Sequence, residues 1–265
     1  MSQETNLNVA PYFDDFNEPE IGGKAQDYYK VLFKPGYPVQ ARELTTLQSM
    51  LQNQVEQFGN HFFKEGAKII PGDLTYINRF YAVEVEDNFL GIPVSLYLDN
   101  LVGVYIRGES SGVTAKIEKV ITADESDRGH ITLYVSYGES GTNNSVRDFS
   151  DGENLITDSN ITFGTSFITA GEGFSKTISS NACSIGSAFR MNEGVYFLRG
   201  YLVEVDTEIL ILDQYSDKPS YRIGLDILEE IVNADQDSFL NDNANGFNNF
   251  AAPGADRLKI TATLA

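Results

Sequence analysis

YYKVLFKPGYPVQARELTTLQSMLQNQVEQFGNHFFKEGAKIIPGDLTYI, residues 28–77, decides how the chain is read. Pro38 stands where a helix can begin, and from Gln40 to His61 the run is free of Pro and of Gly until Gly59. Apolar residues recur at Leu44, Leu47, Leu51, Val55, Phe58 and Phe62, the period of one helical face. A strict 3-4 seam through the same stretch takes Leu44, Leu47, Leu51, Gln54, Phe58 and His61. Gln54 is then a polar layer, a device that fixes register and oligomer state. Two arrangements stay open. Leu44, Leu47, Leu51, Gln54 and Phe58 form an oligomer interface, or the helix packs its apolar face on its own domain.

From residue 67 the texture changes to strands. AKIIPGDLTYI, RFYAVEVED and GIPVSLYLD alternate or run apolar between turn residues. Val102–Arg107, Thr114–Val120 and His130–Tyr137 are short apolar strands punctuated by Gly and Ser, with ADESDRG (123–129) as a polar hairpin loop. A further strand pair is expected around FSDGENLIT. The fold class is α+β, mainly β: one long N-terminal helix and a β-rich main domain carrying an inserted small β-barrel. The expected divisions are an extended arm at 1–27, the helix and first part of the main domain at 28–98, the barrel at 99–160, and the rest of the main domain at 161–265. Residues 189–212 echo the layout of the region around 64–87, an E-G turn, a strand, a turn and a strand. PSYRIGLDILEEIV reads as a central strand.

The first 27 residues are polar, acidic and broken by Pro11, Pro19 and Gly22-Gly23. They show neither period and read as an arm laid on a neighbouring molecule. Residues 233–256, rich in Asn, Asp and Gly, form a loop long enough to imply a contact. RLKITATLA stops in mid-alternation, which predicts that the chain is the N-terminal part of a longer polypeptide.

The 265 residues give ample length for a core, and the net charge is −19. So acidic a surface repels phosphate backbones, which argues against nucleic acid as a partner. The single cysteine, Cys183, excludes an internal disulfide, and its small-residue surroundings suit a buried structural thiol. The N-terminus lacks a basic region followed by an apolar run, and no run approaches 18 apolar residues, so neither a signal peptide nor a membrane span is expected.

The catalytic inventory is thin. His61 and His130, the two histidines, are far apart in the chain and outside any metal-ligand motif. Carboxylates are many (Asp14, Asp15, Glu84, Glu86, Asp124, Glu125, Asp127, Glu229, Glu230), so no pair stands out as a glycosidase dyad. DQDSFLNDNAN offers oxygen ligands without EF-hand spacing. GESSG (108–112) matches the spacing of a nucleophile elbow, but a strand follows where a helix should, so a hairpin turn is expected. No enzyme activity, cofactor or metal is expected.

YFDDF (12–16), residues 28–73 and NNFAAPGADRLKI (248–260) resemble a family of virion proteins from contractile-tailed, T4-like phages, notably those of marine cyanobacteria. PGYPVQARELTTLQ is the specific part. The resemblance implies a tail-fibre or baseplate-associated structural protein, made in the bacterial host cytoplasm and built into the virion. It implies an N-terminal module that anchors a fibre as a homotrimer, with baseplate or other tail proteins as partners. A baseplate wedge component without a fibre role, or a glycan-binding tail protein, are the alternatives. Tyr12, Phe13, Asp14, Asp15 and Phe16 are the candidate partner-binding residues of the arm. The family supplies no catalytic residues.

Overall fold

The computed structural model describes residues 3–16, 27–141 and 144–265. Residues 17–26 of the expected arm lie outside them. In chain order the elements are α1 (Ala41–Phe62), β1 (Ala67–Ile70), β2 (Leu74–Val85), β3 (Asn88–Phe89), β4 (Ile92–Pro93), β5 (Tyr105–Gly108), β6 (Thr114–Ile121), β7 (Ile131–Glu139), β8 (Asn154–Thr157) and β9 (Ile161–Phe163). They continue with β10 (Ser166–Ile168), β11 (Gly173–Lys176), β12 (Cys183–Met191), β13 (Gly194–Leu198), β14 (Tyr201–Val205), β15 (Glu208–Asp213), β16 (Leu225–Val232) and β17 (Arg257–Leu264). The protein is mainly β with one α-helix among the described residues.

The chain forms two compact units. One comprises Met1–Asp73, Met191–Glu208 and Ile223–Ala265; the other comprises Leu74–Arg190 and Ile209–Arg222. The second is built on an eight-stranded sheet in the order β11-β8-β5-β6-β7-β2-β12-β15. It extends beyond the expected 99–160 insertion because β2, β11, β12 and β15, drawn from both flanks, hydrogen-bond into the same sheet. The sheet order has two ends, so a closed barrel is not shown. Main-chain bonds nevertheless tie the β11 end back to β2: Glu86 N donates to Lys176 O, Ile178 N to Glu84 O, and Val85 bridges Thr177.

Alternation sets the core of this unit. On β5, Ile106 points inward and Tyr105 and Arg107 outward; on β6, Ala115 and Ile117 point inward. The second half of β2 has no outward face. Val83 and Val85 join the main cluster with Leu133 and Leu155, while Phe80 and Ala82 join a smaller one with Tyr134 and Ala188. That two-sided burial explains the near-continuous apolar run RFYAVEV. GIPVSLYLD differs from its expected strand. After β4 it turns through two short 3-10 segments, whose Val94, Tyr97, Leu98 and Leu101 all enter the core. Their spacing of three, one and three residues brings them to one side of a helical turn, which strand alternation cannot do.

The other unit holds α1, a three-stranded sheet in the order β1-β13-β14, and the hairpin β16-β17. The first strands of the two echoing segments pair directly, Ala67 opposite Phe197 and Lys68 opposite Tyr196. Arg199 and Gly200 close the β13-β14 hairpin with φ of 51° and 83°, the positive pair that a two-residue turn of this hand requires. β16 pairs with β17 alone, in full register from Leu225–Leu264 to Val232–Arg257, so it is not the expected central strand.

Candidate functional site: an assembly surface on the helix

Helix α1 starts beyond Pro38, where Gln40 N donates to Glu43 Oε2 at 3.0 Å, and runs to Phe62. The face it turns to its own unit is polar and small: Thr46, Ser49, Met50, Asn53, Glu56 and Gly59 are buried. This reverses the simplest amphipathic reading. Ser49 donates to the buried carboxylate of Asp14, and Gln52 Nε2 donates to Gly200 O at 2.8 Å. Gly59 lets the Phe197 ring lie against the helix backbone. Hydrogen bonds and close approach, not apolar bulk, dock the helix.

The apolar face points the other way. Leu44, Leu51, Val55, Phe58 and Phe62 are 50%, 56%, 50%, 66% and 62% exposed. Of the expected interface residues, Leu44, Leu51, Gln54 and Phe58 are exposed and Leu47 is half-buried, all on the arc opposite the docked face. Phe58 and Phe62 pack ring on ring at 4.9 Å, which extends one apolar surface along the last turns. A stripe of this kind, spaced three and four residues apart, has the geometry of a helix-helix seam.

The arm residues divide between two fates. Asp14 and Phe16 are buried within their own unit, and Asp15 accepts from Thr46 Oγ1 at 2.7 Å with Arg42 at 3.8 Å. Tyr12 donates its hydroxyl to Asp256. Phe13, at a φ of 50° and exposed, is the one of the five turned outward. The described part of the arm, residues 3–16, holds no helix or strand and is laid on its own chain. The reason is chemical: the helix presents two hydroxyls, and Asp14 accepts from Ser49 while Asp15 accepts from Thr46.

A second clasp holds the start of the arm. Glu4 N and Thr5 N donate to the Glu229 carboxylate at 3.0 and 2.8 Å, and the Arg199 guanidinium bridges Glu4 and Glu229 at 2.8 and 2.9 Å. The hairpin turn at Arg199-Gly200 aims that guanidinium. Burial pushes Glu229 up, but the Glu4 amide, Arg199 and Thr5 outweigh it, so its carboxyl titrates below its ordinary 4.5. A lowered folded pKa gives stability that is present above the ordinary value and lost as pH falls through the folded one. Glu229→Gln is expected to reduce hydrogen-exchange protection of the Glu4 and Thr5 amides about tenfold at pH 7, the scale of a charge-assisted bond. Acid strong enough to protonate Glu229, below the ordinary carboxyl range, is expected to do the same to the unsubstituted protein. Unchanged protection in both would remove Glu229 as the clasp.

Glu153, buried, accepts from Ser110 N, Ser110 Oγ and Ser111 N at 3.1, 2.9 and 2.9 Å, so GESSG is the turn between β5 and β6, closed by a carboxylate. Glu84, wholly buried, accepts from Arg128 at 3.1 Å and Tyr215 at 3.2 Å, with the guanidinium stacked 3.9 Å over the tyrosine ring. Burial pushes the Cys183 thiol up to about 11, which leaves little thiolate near neutrality. No group of three or more His, Cys, Asp or Glu side chains among the described residues is arranged to hold a metal ion. None of the described helices is long and apolar enough to cross a membrane. An open cleft of about 680 Å³ lies over β5, lined by Tyr105, Arg107, Thr114, Glu139 and Asp158 among others.

Comparison with family models, with curated proteins and with solved structures returned no match.

Proposed function

We propose that the chain is a structural virion protein of a phage tail, a module that anchors a tail fibre to the baseplate as a homotrimer. The observation that carries the self-assembly part is the exposed apolar face of α1 in a chain of net charge −19. Copies so charged repel one another, so a self-association surface is favoured where it adds no further negative charge. Between Leu44 and Phe63 the formally charged side chain is Glu56, buried on the opposite face. Leu44, Leu47, Leu51, Gln54 and Phe58 are the seam, and Gln54 is its polar layer. The trimeric state, the tail location and the neighbouring tail proteins rest on the resemblance at PGYPVQARELTTLQ. In this reading the barrel-like domain is the larger sheet unit, of which 99–160 is a part, and the main-chain ties between β2 and the end of β11 support it.

A glycan-binding tail protein is the second reading. The cleft over β5 favours it, with an exposed tyrosine for stacking beside an arginine and two carboxylates for hydroxyl groups. Sedimentation equilibrium at micromolar concentration tests the first: a species of three times the 29.3 kDa chain mass is expected. A single-chain mass overturns the homotrimer. Antibody labelling of purified phage at the baseplate is expected, and unlabelled tails overturn the virion placement.

A further inference from the structure

We propose that residues 28–39 form a strap that docks in trans, over Val55 and Phe62 of α1 in a second copy of the chain. The inference rests on the self-association reading and adds a second contact to it. From Asp27 to Gln40 every residue is exposed except Val31, which is half-buried. Six large apolar side chains lie bare within it: Tyr28, Tyr29, Leu32, Phe33, Tyr37 and Val39. The stretch belongs to no helix or sheet; its local order is a turn in which Tyr37 N donates to Lys34 O at 3.3 Å. An apolar surface of that extent on an unpaired segment marks a contact.

Charge identifies the occupant. Residues 28–39 contain Lys30 and Lys34 and no acidic residue, within a chain of net charge −19. The strap is therefore drawn to an acidic protein that exposes apolar side chains, and a second copy is such a protein. Geometry then selects the place. A seam along Leu44, Leu47, Leu51, Gln54 and Phe58 leaves Val55 and Phe62, each four residues beyond a seam leucine or phenylalanine, on its flank. Both are at least half exposed in the single chain. The root of the strap already sits beside that seam, because Tyr28 and Tyr29 line a small pocket with Met50, Gln54 and Gln57 of their own helix. A dozen residues reach roughly 40 Å when extended, while the two targets are about 10 Å apart along the helix.

The test places p-benzoylphenylalanine at position 32 of the full chain. The labelled chain is mixed and reassembled with 15N-enriched unsubstituted chain, irradiated and analysed by mass spectrometry. Cross-links from the unenriched strap to the 15N peptide containing Val55 and Phe62 are expected. Cross-links confined to the strap's own chain, or to another surface of the neighbour, overturn the strap while the seam stands. Leu32→Asp with Phe33→Asp is expected to raise the self-dissociation constant at least about tenfold, with an unchanged melting temperature at concentrations dilute enough for the chain to be single, where both sites are exposed. An unchanged dissociation constant also overturns the strap. A single-chain mass for the unsubstituted protein overturns the self-association reading and the strap with it.

Discussion

Leu51→Asp combined with Phe58→Asp is expected, under the proposed self-association, to leave a folded single chain. Both side chains are more than half exposed in the isolated chain, so neither supports the core. Their exposed area contributes only on association, where full burial of such side chains is worth about 1.5–3 kcal/mol each. Aspartate removes that gain and adds carboxylates that a seam must desolvate, in copies already carrying a net charge of −19. The self-dissociation constant is expected to rise by at least about a hundredfold, each factor of ten being about 1.4 kcal/mol. Within the chain, two aspartates in a helix interior cost roughly 1 kcal/mol of propensity, which lowers the melting temperature by about 2–4 °C. Sedimentation equilibrium gives the first quantity and circular dichroism the second. If the doubly substituted chain assembles as the unsubstituted one does, the exposed face of α1 is not the seam.

The position of α1 was legible in sequence almost to the residue, while its orientation was not. Periodicity finds the face richest in apolar side chains, and the usual inference is that this face enters the core. Here the docked face is built from Thr46, Ser49, Asn53, Glu56 and Gly59, which a hydropathy pattern scores as a solvent side. What docks it is specific pairing, above all Asp14 with Ser49 and Asp15 with Thr46, and pairing between segments more than thirty residues apart leaves no periodic trace. The same limit hid the course of the arm. YFDDF reads as an unanchored acidic patch until the hydroxyls that meet Asp14 and Asp15 are known. GIPVSLYLD was misread for another reason. Short apolar runs fit strand and helical turn alike, and only the common inward direction of Val94, Tyr97, Leu98 and Leu101 separates them. The β-strands 5 and 6 were legible because one face is more buried than the other, which is the case that alternation reports, and β7, buried on both faces over Ile131–Val135, was legible as an apolar run.

Gly59 turns this argument into the second large effect. In sequence it looks like a weak point near the end of α1, since glycine costs about 1 kcal/mol relative to alanine in a helix interior. A residue chosen for helix formation alone would not be glycine. In the structure a Cβ at position 59 would lie 2.4 Å from Cε2 and 2.6 Å from Cζ of Phe197, inside any tolerable contact. The Phe197 ring has little freedom to yield, because it is 1% exposed and packs against the Phe63 ring at 5.9 Å. Gly59→Val is therefore expected to destabilise the unit containing α1 by about 2–3 kcal/mol, overpacking outweighing any gain in propensity. Gly59→Ala should fall between valine and glycine, and urea unfolding monitored by circular dichroism orders the three. The discriminating measurement is the double substitution with Phe197→Leu. A smaller side chain at 197 opens the space that the new Cβ needs, so the cost of Gly59→Ala should shrink by at least about 1 kcal/mol in that background, the size of coupling expected for residues in direct contact. Additive effects would mean that the helix does not lie against Phe197 at Gly59. The polar face of α1 would then lose its claim to be the docked one, and with it the apolar face its claim to be free for a neighbour.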